Sequence, residues 1–142
     1  VTEAVLDASV VLKWFHAEGE RHLDDARRLR EQFGAGELRV LAPRLLWLEL
    51  LNVAARRWSW PQPQLEQLAG TLEQLGFEVL EPELAGVARW AANGLTACDA
   101  AYVAIAEQTG VQLITDDAEI VASAPKIATA LGGLQLPPKP TA

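Results

Sequence analysis

The stretch EAVLDASVVLKWF, residues 3–15, decides how the rest of the chain is read. Residues 3–7 are a short apolar run that ends in an acid, and this reads as a strand. ASVVLKWF can turn into a helix at once. A strand that delivers an acid and runs straight into a helix is the opening unit of an α/β fold. Open parallel sheets place their sites at the carboxyl ends of such strands.

The chain continues the alternation. ERHLDDARRLREQF, residues 20–33, sets Leu23, Ala26, Leu29 and Phe33 on one helical face, with Gly34 and Gly36 as the stop. LRVLAP supplies a second strand over 38–42. Pro43 suits a helix start, and that helix continues to about residue 58. Pro61 and Pro63 mark the next boundary, QLEQLAGTLEQL is an amphipathic helix closed by Gly76, and FEVLEP is a third strand. ELAGVARWAANGL and TACDAAYVAIAEQTG are helices ending at Asn93-Gly94 and Gly110. VQLIT, DDAEIVASA and KIATAL then give strand, short helix and last strand. The pattern predicts an α/β sandwich around a mostly parallel sheet. Residues 1–134 form a single domain in this reading, with 135–142 as a proline-rich tail outside it.

The 142 residues suit one domain, and 50% of them are hydrophobic, enough for a core. No apolar run reaches the roughly 20 residues that span a bilayer. The start, VTEAVLDAS, lacks the basic and long apolar regions of a signal peptide. Cys98 is the single cysteine, which excludes an internal disulfide and a cysteine-based zinc site. A reducing cytoplasm is the expected location. The net charge of −7 is uneven. Residues 1–60 balance nine Lys/Arg against nine Asp/Glu, whereas residues 61–142 set three against ten. A typical nucleic-acid binder has a basic footprint. Here any such contact has to use the arginines of the first half, a metal ion or a second subunit.

Two acidic sites directly follow predicted strands: Asp7, and the pair Asp116-Asp117. Helix capping is the plain alternative for each, because Asp is a favoured N-cap. In the pair, one acid can cap the short helix while the other does chemistry. Thr96-x-x-Asp99 resembles a capping box, yet the helix behind it, AAYVAIA, is apolar enough to be buried. Glu49 interrupts the leucines of LLWLELLN, residues 45–52, and shares a helical face with Asn52 and Arg56. Singly, each acid has an ordinary explanation, a narrow solvent stripe in the case of Glu49. Together they place acids at two strand ends and on two apolar helices.

If Asp7, Glu49, Asp99 and Asp117 converge, like charges about 4 Å apart repel by roughly 4 kcal/mol at an effective dielectric near 20. Such a cluster requires raised pKa values or a cation. An all-carboxylate set suits Mg²⁺ or Mn²⁺. His16 and His22 lie in the first helical region, away from the strand ends. A divalent ion so held lowers the pKa of a water and offsets charge on a phosphoryl oxygen, which suits phosphodiester hydrolysis.

VLDASVVLKWF, LLWLELLN, TACDAAYVAIAE and LITDD, in that order, resemble the PIN domain, and within it the VapC-type ribonuclease toxins of bacterial toxin–antitoxin pairs. The resemblance runs from Val5 to about Leu131. It implies a three-layer α/β/α sandwich with a central sheet of about five strands. It places the family's acids at Asp7, with Ser9 as its hydroxyl, at Glu49 with Asn52, at Asp99, and at Asp117 after Thr115. Asp116 is a helper or only a cap. It further implies endonucleolytic cleavage of RNA, transfer or ribosomal, dependent on Mg²⁺ or Mn²⁺, a homodimer, and inhibition by a cognate antitoxin that wraps the toxin. One departure is the run DDAEIV, where Glu119 stands in place of the basic residue many members carry.

Two other readings stand beside this one. A PIN-like domain that binds partners without cleaving would lack acids, and all four are present. A phospho-acceptor signalling domain wants a paired acid at the first strand end and a lysine near the last strand; Asp7 has no acidic neighbour, though Lys126 is roughly placed. Trp58 and Trp60, beside Arg56 and Arg57 in a loop between helices, read as a protein interface more than a base-stacking platform.

Overall fold

The computed structural model describes residues 1–134, so the expected tail, 135–142, lies outside the described residues. The chain begins with β1 (Thr2–Leu6), whose last three residues are fully or almost fully buried. It enters α1 (Ala8–Val11) with only Asp7 between, and a 3₁₀ turn over Leu12–Trp14 follows. Then come α2 (Leu23–Gly34), β2 (Leu38–Pro43), α3 (Leu45–Arg56), α4 (Gln62–Glu73) and β3 (Glu78–Leu80). The second half adds α5 (Leu84–Ala92), α6 (Ala97–Thr109), β4 (Leu113–Thr115), α7 (Ala118–Ser123) and β5 (Ala128–Ala130).

All four strand pairings are parallel, in the order β3-β2-β1-β4-β5. The chain winds outward from β1 to β3, crosses back, and winds outward again through β4 to β5. Right-handed crossovers then put the two sets of helices on opposite faces, which makes the three layers. The reversal lies between β1 and β4, paired at Val5 with Leu113 and Leu6 with Ile114. A crevice at the carboxyl end of such a reversal is where open α/β sheets bind ligands.

Burial follows from this order. β1 is central, so Ala4, Val5 and Leu6 are covered on both faces. Helix α6 packs on β1, β2 and β4 and is backed by α5, which explains why Ala100–Ala106 are all buried and why its sequence is apolar all round. The two helices approach closely at Gly86, where a Cβ would stand 3.3 Å from that of Ala104. Trp14, Phe33, Trp47 and Phe77 form an aromatic cluster, with Trp14 Nε1 donating to the Ala26 carbonyl at 2.9 Å. For Trp14 and Trp47 the packing role is therefore the observed one.

Three boundaries differ from expectation for local reasons. The second helix starts at Leu23 and not residue 20, because Glu20 is used in an ion pair and His22 adopts a left-handed φ of 57°. Pro43 ends β2 and does not open α3. That helix stops at Arg56, since Trp58 and Trp60 N–H groups turn back to the carbonyls of Val53 and Ala54 around Ser59, whose φ is 55°. No helix of the described residues is long and apolar enough to cross a membrane.

Candidate active site

Asp7 occupies the carboxyl end of β1 and is only 4% exposed. Its oxygens accept hydrogen bonds from Ser9 Oγ at 2.6 Å and Thr115 Oγ1 at 2.5 Å. The two hydroxyls also accept from the backbone of the adjoining strand end: Ser9 Oγ from the Asp116 N–H at 2.8 Å, Thr115 Oγ1 from the Asp117 N–H at 3.0 Å. Each hydroxyl proton is spent on Asp7, so the pair both orients that carboxylate and stitches β1 to β4. Burial still pushes the Asp7 carboxyl up to about 7, against the two hydrogen bonds and with the help of Asp99 and Asp117.

The other acids arrive from separate elements. Asp99 sits in the first turn of α6, where Thr96 Oγ1 accepts its N–H at 3.1 Å, the capping contact expected from the sequence. Its carboxyl is half-buried and raised, first by burial and then by Asp117. Asp117 caps α7, accepting from the Glu119 N–H at 2.9 Å. The cap and the candidate for chemistry are thus one residue. Glu49, half-buried on α3, accepts the Tyr102 hydroxyl proton at 2.5 Å. Burial raises its carboxyl, the Tyr102 bond lowers it, and Asp99 raises it again. Asn52, one turn on, is exposed.

Asp7 is influenced by Asp99 and Asp117, and Glu49 by Asp99, so Asp99 is the acid that links the others electrostatically. Asp116 does not join them in the same way, because its carboxylate lies 3.0 Å from Lys13 Nζ. All the donors are oxygen, which fits a hard dication in kind. Among the described residues, however, no group of three or more His, Cys, Asp or Glu is arranged to hold a metal ion at once. Mutual repulsion of like charges works against closer approach.

Sequence reasoning missed Tyr102, Lys13 and Glu20. Tyr102 is the only tyrosine, three residues after Asp99 on the same helix. Its hydroxyl was a readable signal, since a buried tyrosine needs a partner; its own pKa is pushed up by burial and by Glu49. The phospho-acceptor reading loses support, because Asp7 is buried with both oxygens engaged and Lys126 is exposed. Trp58 stacks on His16 with centroids 4.5 Å apart and touches Trp60 at 5.2 Å, so both rings are half-buried against their own chain.

The PIN domain family model matches residues 4–125. No curated protein matches by sequence. Among solved structures, PAE2754 from Pyrobaculum aerophilum is 27% identical, with 92% of this chain and 90% of that one covered and a TM-score of 0.64. The sarcin–ricin-loop-cleaving toxin VapC20 of Mycobacterium tuberculosis is 15% identical, with 95% and 99% covered and a TM-score of 0.65. A toxin–antitoxin complex from Klebsiella pneumoniae contains a chain 19% identical, with 90% and 97% covered and a TM-score of 0.57. The last two likenesses concern the fold alone.

Proposed function

This chain belongs to the PIN-domain family, and from that premise we propose that it is a divalent-metal-dependent endoribonuclease, the toxin of a toxin–antitoxin pair. Asp7, Glu49, Asp99 and Asp117 are the acids assigned to Mg²⁺ or Mn²⁺. When bound, such an ion supplies Lewis acidity: it lowers the pKa of a water and offsets charge on a phosphoryl oxygen. The chain's own residues prepare the place. Ser9 and Thr115 hold the Asp7 carboxylate in one orientation. Tyr102 does the same for Glu49. Asp117 and Asp99, each at a helix start, are set by their backbone caps.

One observation carries this reading. Acids carried by separate elements surround the sheet's reversal point, and burial, helped by neighbouring acids, raises Asp7, Glu49 and Asp99. A cation is the ordinary remedy for such a cluster. Transfer or ribosomal RNA is the proposed substrate class, the family's neighbours including a toxin that cleaves an RNA loop. The proposed partners are a cognate antitoxin and a second copy of the chain, and the proposed location is the cytoplasm.

The test is cleavage of total RNA by purified protein free of antitoxin, with and without Mg²⁺ or Mn²⁺, beside Asp7→Asn. Discrete fragments that require the ion and vanish in the variant are expected. Fragments that persist in Asp7→Asn or without any divalent ion would sink the proposal.

A further inference from the structure

We propose that Lys13 is a positioning residue that gives the adjacent acids Asp116 and Asp117 different tasks: it draws Asp116 aside and leaves Asp117 to the cluster. The proposal rests on reading that cluster as a divalent-ion site. Lys13 lies in the 3₁₀ turn after α1, and its side chain is 2% exposed. Its ammonium is 3.0 Å from Asp116 and 2.9 Å from Glu20. The other oxygen of Glu20 lies 3.5 Å from Arg57, after the end of α3. A buried ammonium is tolerated only when it is paired, and here the pairing extends from β4 through α1 to α3. With its side chain so enclosed and engaged, Lys13 is not available to grip RNA.

Asp116 and Asp117 follow one another directly after β4. Both N–H groups are taken by the hydroxyls that bind Asp7. The two side chains meet different partners. Asp116 meets Lys13, whereas Asp117 caps α7 and acts on Asp7 and Asp99 as an uncompensated negative charge. Without Lys13, Asp116 becomes a further unpaired carboxylate beside the cluster. A cation there would gain attraction, while the arrangement that orients it would be lost.

The two consequences have opposite signs, which separates positioning from general damage. Mn²⁺ binding by calorimetry, RNA cleavage, and melting without divalent ion are measured for the wild type, Lys13→Met and Lys13→Met/Asp116→Asn. Lys13→Met is expected to bind Mn²⁺ roughly 5-fold more tightly and to cleave roughly 10-fold more slowly, and to melt at a lower temperature. The double variant, which removes both charges, is expected to recover all three. Weaker Mn²⁺ binding by Lys13→Met, or a double variant no better than the single one, overturns the proposal. A wild type that binds no Mn²⁺ sinks the metal reading instead. Melting then decides the positioning role: recovery in the double variant upholds the separation of the two acids, and no recovery overturns it.

Discussion

Two groups of acids stand side by side at the carboxyl edge of the sheet, and the chain treats them oppositely. Asp116 and Glu20 are matched by Lys13 and Arg57 from within the protein. Asp7 and Glu49 receive hydroxyl hydrogen bonds, and neither they nor Asp99 has a cationic side chain within salt-bridge distance among the described residues. The first group is settled by the fold. The second is left with its charge uncompensated, and burial makes that costly. In the proposed reading, an acid the fold neutralises is structural, and an acid it leaves without a cationic partner is one for a bound ion to neutralise.

The sharpest way to break this contrast is Asp7→Asn. Cleavage in the presence of Mg²⁺ is expected to fall by about 1000-fold or more, as when a preorganised charged group is lost, while the circular dichroism spectrum stays unchanged. Residual activity within 10-fold of wild type would place Asp7 on the structural side.

The pH dependence of stability comes next. Asp7 titrates near 7 in the fold and at its ordinary 3.8 when unfolded. Below 3.8 both states are protonated and no penalty exists. Between the two values the folded state binds the extra proton, so stability falls as pH rises, and above about 7 the full loss remains. The ceiling is about 4 kcal/mol. Chemical denaturation without divalent ion is expected to show this decline for the wild type, and a much flatter profile for Asp7→Asn. Added Mg²⁺ should stabilise the wild type more at pH 8 than at pH 5.

Smaller effects sharpen the comparison. Glu20→Gln removes the carboxylate shared by Lys13 and Arg57 and is expected to cost roughly 2 kcal/mol in urea melts. Its effect should not depend on Mg²⁺, because it belongs to the neutralised group. Tyr102→Phe removes the bond to Glu49 and is expected to cost about 1 kcal/mol. Cleavage by Tyr102→Phe should drop only a few-fold, read as kcat, since Glu49 is loosened and not removed.

Much of this edge was legible beforehand. Strand ends at Asp7 and Thr115, and a cap at Thr96, are local events, set by a few neighbouring residues. So are the glycine stops, such as Gly110 with a left-handed φ of 69°. The start of α2 was misplaced because Glu20 leaves the helical pattern to meet Lys13 and Arg57, the latter 37 residues away in sequence. Tyr102 read as one more apolar position in AAYVAIA, and only its distance to Glu49, 53 residues earlier, gives its hydroxyl a task.

By itself, then, the sequence determined the alternation of strands and helices, the apolar surfaces that must be buried, and which acids end strands or open helices. Periodicity and capping chemistry act within a turn or two of chain, so they are written locally. The tertiary structure alone decided that β1 and β4 are neighbours, that Asp117 faces the cluster while Asp116 turns to Lys13, and that Glu49 leans on Tyr102. Those outcomes depend on burial and on charges brought together across the chain, and neither quantity exists until α6 has packed against the sheet.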